Sequence, residues 1–219
     1  MATVEKTKTR APTGPIVLHG IPWTMYEELR DIEANWHVRM TYDHGSLELT
    51  APSARHEDYA ELIGLMIHAL VEGLDLPIRS LGSTTWKARA EVAGLEADRC
   101  YFIRNAARVV GREANDLQRE ETPDLAVEVE ITRSAETKLP LYATLGVAEI
   151  WRYDGSALES WQLGPDGQYA QVERSLNLPF LKPADLEPFL ETNHDDETRW
   201  IKAFRQWVRD QFRPGNAGP

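Results

Sequence analysis

Glu128, Glu130 and Lys138 stand out by type and spacing. The two acids lie two residues apart in the run Leu125-Ala126-Val127-Glu128-Val129-Glu130-Ile131. In an extended strand that spacing puts both carboxylates on one face and Val127, Val129 and Ile131 on the other. Two acids on one face of an otherwise apolar strand cost desolvation unless a positive group meets them. A divalent metal would do so, and so would Lys138, just past the strand at the start of a predicted helix. Upstream, Glu96-x-Asp98 precedes a second predicted strand, Arg99-Cys100-Tyr101-Phe102-Ile103. An oxygen-rich group of two or three carboxylates with one lysine suits Mg2+ or Mn2+. Such an ion activates water, polarises a phosphoryl oxygen and orients an in-line attack. The lysine would stabilise transition-state charge or position the water. The same spacing also fits a solvated sheet face with Lys138 on a helix surface, so the residues alone leave a non-catalytic binding or regulatory module open.

These groups need a scaffold. Residues 24–34 read as a short helix with Thr24 as its cap and Glu27 at capping-box spacing. Val38, Met40 and Tyr42, the turn Asp43-His44-Gly45-Ser46, then Leu47 and Leu49 read as a hairpin. Residues 54–74 carry apolar side chains at helical spacing, with Ser53 in the cap region. Strands are expected at 78–87, 100–104 and 124–131, a helix at 135–145 closed by Gly146, and strands at 148–153, 157–163 and 168–173. A final helix presents Trp200, Ile201, Phe204, Trp207, Val208 and Phe212 on one face, for its own core or for a homodimer. The organisation expected is a polar tail at 1–15, one α/β domain at 16–212, and a short tail at 213–219.

Composition narrows the function. With 24 basic and 35 acidic residues the net charge is −11, which argues against holding nucleic acid by bulk charge alone. Charge is uneven, however. Residues 79–112 hold seven basic side chains against Glu91, Glu96 and Asp98, so Arg99 and Arg104 are candidates for a phosphate-facing rim. Thr85, in Thr84-Thr85-Trp86, fits either a substrate-backbone contact or a strand end beside a packed Trp. A single cysteine, Cys100, reads as a core thiol and points to a reducing, cytoplasmic setting. The first residues lack the apolar run of a signal peptide, and no stretch approaches the ~18 apolar residues of a membrane span. His56 reads as a structural or surface residue, since neighbours on a helix point about 100° apart and it should not share a site with Glu57.

Four segments carry a family resemblance. They are APSARHEDYAELIG (51–64), LGSTTWKA (81–88), GLEADRCYFIRN (94–105) and TPDLAVEVEITRSAETKLPLYATLGVAEIWRYDG (122–155). Together they resemble the Uma-two family of bacterial proteins, over roughly residues 20–175. That family is similar to the PD-(D/E)xK nuclease superfamily. The resemblance therefore implies a restriction endonuclease-like α/β fold, a mixed central sheet flanked by helices. It implies a Mg2+- or Mn2+-dependent endonuclease acting on DNA, paired as a homodimer where both strands are cut. Carried over, Asp98 is the first acid, Glu128 the second, and Glu57 an added acid on the long helix, with Glu130 as an accessory metal ligand. The chain departs from the superfamily in two places. Glu130 stands where the lysine normally follows the second acid, and that lysine corresponds to Lys138 on the next helix. Ala97 replaces the proline the family usually has before Asp98. Pro123-Asp124 competes for the same motif. Four residues along one strand put Asp124 roughly 13 Å from Glu128, too far to share a metal, so Asp124 is expected to be structural.

Overall fold

A computed structural model describes residues 14–88, 92–131, 138–192 and 195–212. The tails expected at 1–15 and 213–219 lie mostly or wholly outside these residues. In chain order the elements are β1 (Ile16–His19), α1 (Trp23–Asp31), β2 (Arg39–Asp43), β3 (Ser46–Thr50), α2 (Ala54–Gly73), β4 (Arg79–Lys87) and β5 (Ala93–Phe102). There follow α3 (Ala114–Glu120), β6 (Leu125–Val129), α4 (Leu139–Leu145), β7 (Glu149–Tyr153), β8 (Leu158–Leu163), β9 (Tyr169–Val172), α5 (Glu187–Glu191) and α6 (Glu197–Phe212).

The strands form one mixed sheet in the order β1-β3-β2-β5-β6-β7-β8-β9, with β4 also paired to β5. The β6–β7 pair is parallel and α4 lies in its crossover; the other pairs are antiparallel. Parallel neighbours require such a crossover, because a tight turn cannot reverse the chain twice.

Alternation along β6 divides the core. Leu125, Val127 and Val129 pack with Ile63, Met66, Ile67 and Leu70 of α2 and with Phe204 and Val208 of α6. Ala126 faces the other way, beside Leu141 and Tyr142 of α4 and Cys100 of β5. Tyr26 of α1 stacks on Tyr42 of β2, ring centroids 5.1 Å apart, in a smaller cluster with Met40 and Leu47. The aromatic face of α6 therefore packs on its own chain. Gly73 brings α2 close enough that an added Cβ would lie 2.9 Å from Val208 Cγ1. Trp200, Phe204 and Val208 are buried in this packing, while Ile201, Trp207 and Phe212 are partly buried.

Local chemistry explains most boundaries. Ser53 caps α2, its hydroxyl accepting the His56 N–H at 3.2 Å. The β2–β3 turn sets both His44 (φ 43°) and Gly45 (φ 94°) left-handed, as a two-residue hairpin loop requires. Gly146 ends α4 at φ 77°. One cap differs from expectation: α1 begins at Trp23 after Pro22 with no side-chain cap, so Thr24 and Glu27 form no capping box.

The feature that matters for function is a fork along β5. One edge of β5 pairs with β4 from Lys87↔Gly94 to Arg79↔Phe102. The other edge pairs with β2 only at Ala93 and Gly94, and with β6 only at Arg99, Cys100 and Tyr101. Asp98 stands where the strand leaves one neighbour and meets the next. Opposite it the β4 ladder runs from Gly82↔Cys100 to Thr84↔Ala97, so β5 uses one residue more than β4 there. Such a bulge reverses the alternation and re-aims a side chain. Accordingly Ala97 and Cys100, three apart, face the same core cluster. The expected order, with Glu96 and Asp98 ahead of the strand, is corrected: both lie inside it.

Candidate active site

Asp98 is 2 % exposed. Its Oδ2 accepts the backbone N–H of Val129 at 2.6 Å and lies 3.0 Å from His56 Nε2. Its Oδ1 takes the Nη1 donor of Arg39, whose Nη2 donates to Glu57 Oε1 at 3.0 Å. Burial alone would push this carboxyl up. The His56 hydrogen bond and the charges of Arg39 and Lys138 outweigh it and hold the group below the ordinary aspartate value.

Glu128 stands across the strand pair, one step beyond Arg99↔Val127. It is also 2 % exposed. Lys138, the residue just before α4, donates from Nζ to Glu128 Oε2 at 2.6 Å. One helical turn later the Tyr142 hydroxyl donates to Glu128 Oε1. Burial pushes the Glu128 carboxyl up to about 6, with Asp98 adding to the effect and Lys138 and Tyr142 opposing it. Burial alone would lower the Lys138 ammonium, but Glu128 and Asp98 outweigh it and hold its pKa above the ordinary lysine value. Burial, then the Glu128 charge, raises the Tyr142 hydroxyl well above its usual value. Lys138 and Tyr142 are therefore both protonated donors at neutral pH.

The structure thus brings Asp98, Glu128, Lys138 and Glu57 to one place, at the fork where β2, β5 and β6 meet the first turn of α2. A cleft of about 50 Å³ opens there, bordered by Arg39, His56, Asp98, Glu130 and Lys138. Among the described residues, no three His, Cys, Asp or Glu side chains already surround one point as a metal cage. The donors present are hard carboxylate oxygens, the type that Mg2+ and Mn2+ take while keeping several waters.

Other sequence-derived candidates lie differently. Glu130 borders the cleft, but its carboxylate is engaged by Arg152 Nε at 2.7 Å and its N–H by Tyr153 O at 2.7 Å. Arg99 points toward α2 and pairs with Glu61. Arg104 lies on the turn beyond β5, past the strand end that is itself roughly 13 Å from Asp98. Thr85 lines a separate open groove of about 790 Å³ with Trp23, Trp36 and Lys87, beside α1. That groove is the larger concavity, yet it contains none of Asp98, Glu128 or Lys138. Glu96 lines it too and accepts from the Ser83 hydroxyl.

Asp124 is structural in placement. Its Oδ2 accepts the N–H groups of Ile103 at 2.7 Å and Asn105 at 2.9 Å, and its Oδ1 accepts Asn105 Nδ2 at 2.5 Å. Cys100 is a buried free thiol, pushed up to about 11 by burial.

His56 requires a correction. It was expected not to share a site with Glu57, yet its Nε2 is on Asp98 and its Nδ1 is 3.6 Å from Glu57 Oε1. The helix angle is not the deciding quantity, because Asp98, from another strand, meets His56 directly and Glu57 through Arg39. Arg39 and Tyr142 were not singled out from sequence. Arg39 alternates with Val38 and Met40, so it had to face away from the α1 cluster. Tyr142 follows Lys138 at i+4, a signal that was readable.

A large mixed sheet flanked by helices gives the chain a restriction endonuclease-like fold, with Asp98 and Glu128 on adjacent strands and Lys138 just before the crossover helix. The sequence model of the Uma2 family, described as "Putative restriction endonuclease", matches residues 23–211, and the chain belongs to that family. Among solved structures, it is similar to one described as a "putative nuclease" from Anabaena variabilis ATCC 29413. That similarity has 14% identity and a TM-score of 0.48, covering 86% of this chain and 99% of that one. It is also similar to the type IIG restriction endonuclease BpuSI, at 15% identity and TM-score 0.38, covering 73% of this chain and 18% of that one. No curated protein matches the chain. Among the described residues, no helix is long and apolar enough to cross a membrane.

Proposed function

We propose that this protein is a Mg2+- or Mn2+-dependent endonuclease that hydrolyses phosphodiester bonds in DNA. The observation that carries this reading is the meeting of Asp98, Glu128 and Lys138 at the β5–β6 fork, with Lys138 Nζ 2.6 Å from Glu128. Asp98 and Glu128 would hold the metal, with Glu57 as a further oxygen donor; Glu130 would join only by leaving Arg152. When bound, the metal supplies Lewis-acid activation of water and of the scissile phosphoryl group. Lys138, held protonated, orients the attacking water and stabilises charge developing on the phosphoryl oxygens. Tyr142 and the Val129 N–H fix the orientation of the Glu128 and Asp98 carboxylates.

The experiment is nicking of supercoiled plasmid in Mg2+ or Mn2+. Cleavage should occur in the native protein and be lost in Asp98→Asn and Lys138→Ala variants that still show a native circular-dichroism spectrum. Absence of cleavage of DNA and RNA across metals and pH would refute an active nuclease. The homodimer needed to cut both strands is part of this reading. A monomeric mass by light scattering on DNA would remove it.

A second reading, a non-catalytic module retaining the fold, is favoured by one observation. Arg39 and Lys138 already neutralise Asp98, Glu57 and Glu128 in part, as in a purely structural ion network. Metal titration separates the two. A structural network shows no Mn2+ binding that depends on Asp98.

A further inference from the structure

Arg39 occupies an unusual position. One guanidinium bridges two of the carboxylates assigned above to the metal, with Nη1 on Asp98 Oδ1 and Nη2 on Glu57 Oε1 at 3.0 Å. Its side chain is 12 % exposed, so the contact with Asp98 is sheltered from solvent, while the Glu57 side chain is half exposed. The other oxygen of Asp98 is tied to the backbone N–H of Val129 and to His56. The oxygen under Arg39 is therefore the one that Asp98 can offer to an ion without breaking a backbone bond. A guanidinium and a divalent cation compete for the same lone pairs, and their like charges exclude close approach. Room for the guanidinium to withdraw exists beside it, where the cleft continues along Thr41, Glu48 and Thr50 on the same face of β2 and β3.

We propose that Arg39 is a displaceable internal counter-ion that competes with the divalent metal for Asp98 and Glu57 and thereby sets the metal affinity of the site. This rests on the metal-site reading given above. Arg39 here is a positioning residue: it holds the carboxylates apart and neutralised in the ion-free protein, and it gives way when metal binds. Lys138 does not share this role. It pairs with Glu128, from the residue just before α4, and touches neither carboxylate held by Arg39.

The test is direct Mn2+ titration of the full chain, by the paramagnetic resonance signal of free Mn2+ and by calorimetry, with no nucleic acid present. Native protein is compared with Arg39→Met, Arg39→Lys and Asp98→Asn. Arg39→Met should bind Mn2+ about ten- to a hundredfold more tightly than native protein, the equivalent of one charge-assisted hydrogen bond. Arg39→Lys, which keeps the charge but cannot bridge two carboxylates, should tighten binding by a smaller factor, and it carries the test if Arg39→Met fails to fold. Asp98→Asn should abolish binding in either background. Mn2+ should also raise the melting temperature of Arg39→Met more than that of native protein. Equal or weaker binding by both Arg39 variants, with native protein binding normally, would overturn the counter-ion role and leave the metal site intact. No Asp98-dependent binding by any protein in the series would overturn the metal site and the counter-ion role together.

Discussion

Replacing Lys138 with methionine should destabilise the protein at neutral pH by an amount set by Glu128. The substitution keeps the aliphatic stem and removes the ammonium 2.6 Å from Glu128 Oε2. Glu128 is 2 % exposed, so it cannot recover the loss by solvation. It can instead take up a proton. Holding a carboxyl of ordinary pKa 4.5 protonated at pH 7 costs about 3.4 kcal/mol, but native protein, with Glu128 already at about 6, carries about 2 kcal/mol of this, so protonation caps the further loss at about 1.4 kcal/mol. The Lys138 side chain remains 17 % exposed, so water screens part of the native pair, and we expect a loss of about 1 kcal/mol at pH 7. The pH dependence follows from the sign. Removing the cation raises the folded-state pKa of Glu128 above the about 6 of the native protein, while the unfolded value stays near 4.5. A group raised on folding contributes stability below its unfolded pKa and loses it as pH rises through its folded pKa. The deficit of Lys138→Met should therefore be small at pH 4.5, grow with pH, and level off beyond the new folded pKa. Urea unfolding of the variant, of Glu128→Gln and of the double variant at pH 5 and pH 7 measures this. In the double variant most of the pH-7 deficit should disappear. A deficit below ~0.5 kcal/mol at pH 7, or one that does not change with pH, would refute a buried and coupled Glu128–Lys138 pair.

Three further outcomes are expected. Glu149 is fully buried and accepts from Trp151 Nε1, the Ser160 and Ser175 hydroxyls, and both nitrogens of Asn177; Glu149→Ala orphans these donors and should cost at least about 3 kcal/mol in urea unfolding. Asp124→Ala should cost about 1–3 kcal/mol by freeing the Ile103 and Asn105 N–H groups, yet leave Mn2+ binding unchanged in titration. Gly94→Ala would place a Cβ 2.6 Å from the Tyr26 hydroxyl, against backbone paired to β2, and should lower stability by about 1–3 kcal/mol in thermal melts.

Much of this protein was legible from residue order alone. The hairpin followed from alternation and a left-handed turn, α2 from its apolar stripe and Ser53, and the C-terminal end of α4 from Gly146. These features are local: they depend on neighbours within a few positions, which a sequence displays directly. Type and spacing marked Glu128, Glu130 and Lys138, the family resemblance gave them and Asp98 their expected roles, and the alternation in β6 correctly set Glu128 opposite the Val127 and Val129 face. What sequence could not supply depended on non-local geometry. The bulge at Asp98 breaks the period-2 rule, so reading by alternation began the strand too late. The fork between β2 and β6 is a property of strand order, and only that order brings Arg39, some sixty positions upstream, onto Asp98. His56 joined the site for the same reason, because a carboxylate from another strand rises to meet the helix start. The aromatic stripe of α6 marked an apolar face, and packing within the chain buries Trp200, Phe204 and Val208 of it. Sequence determines which side chains are able to do chemistry; the tertiary fold decides which of them meet, since the distances between strands are set by pairing rather than by position along the chain.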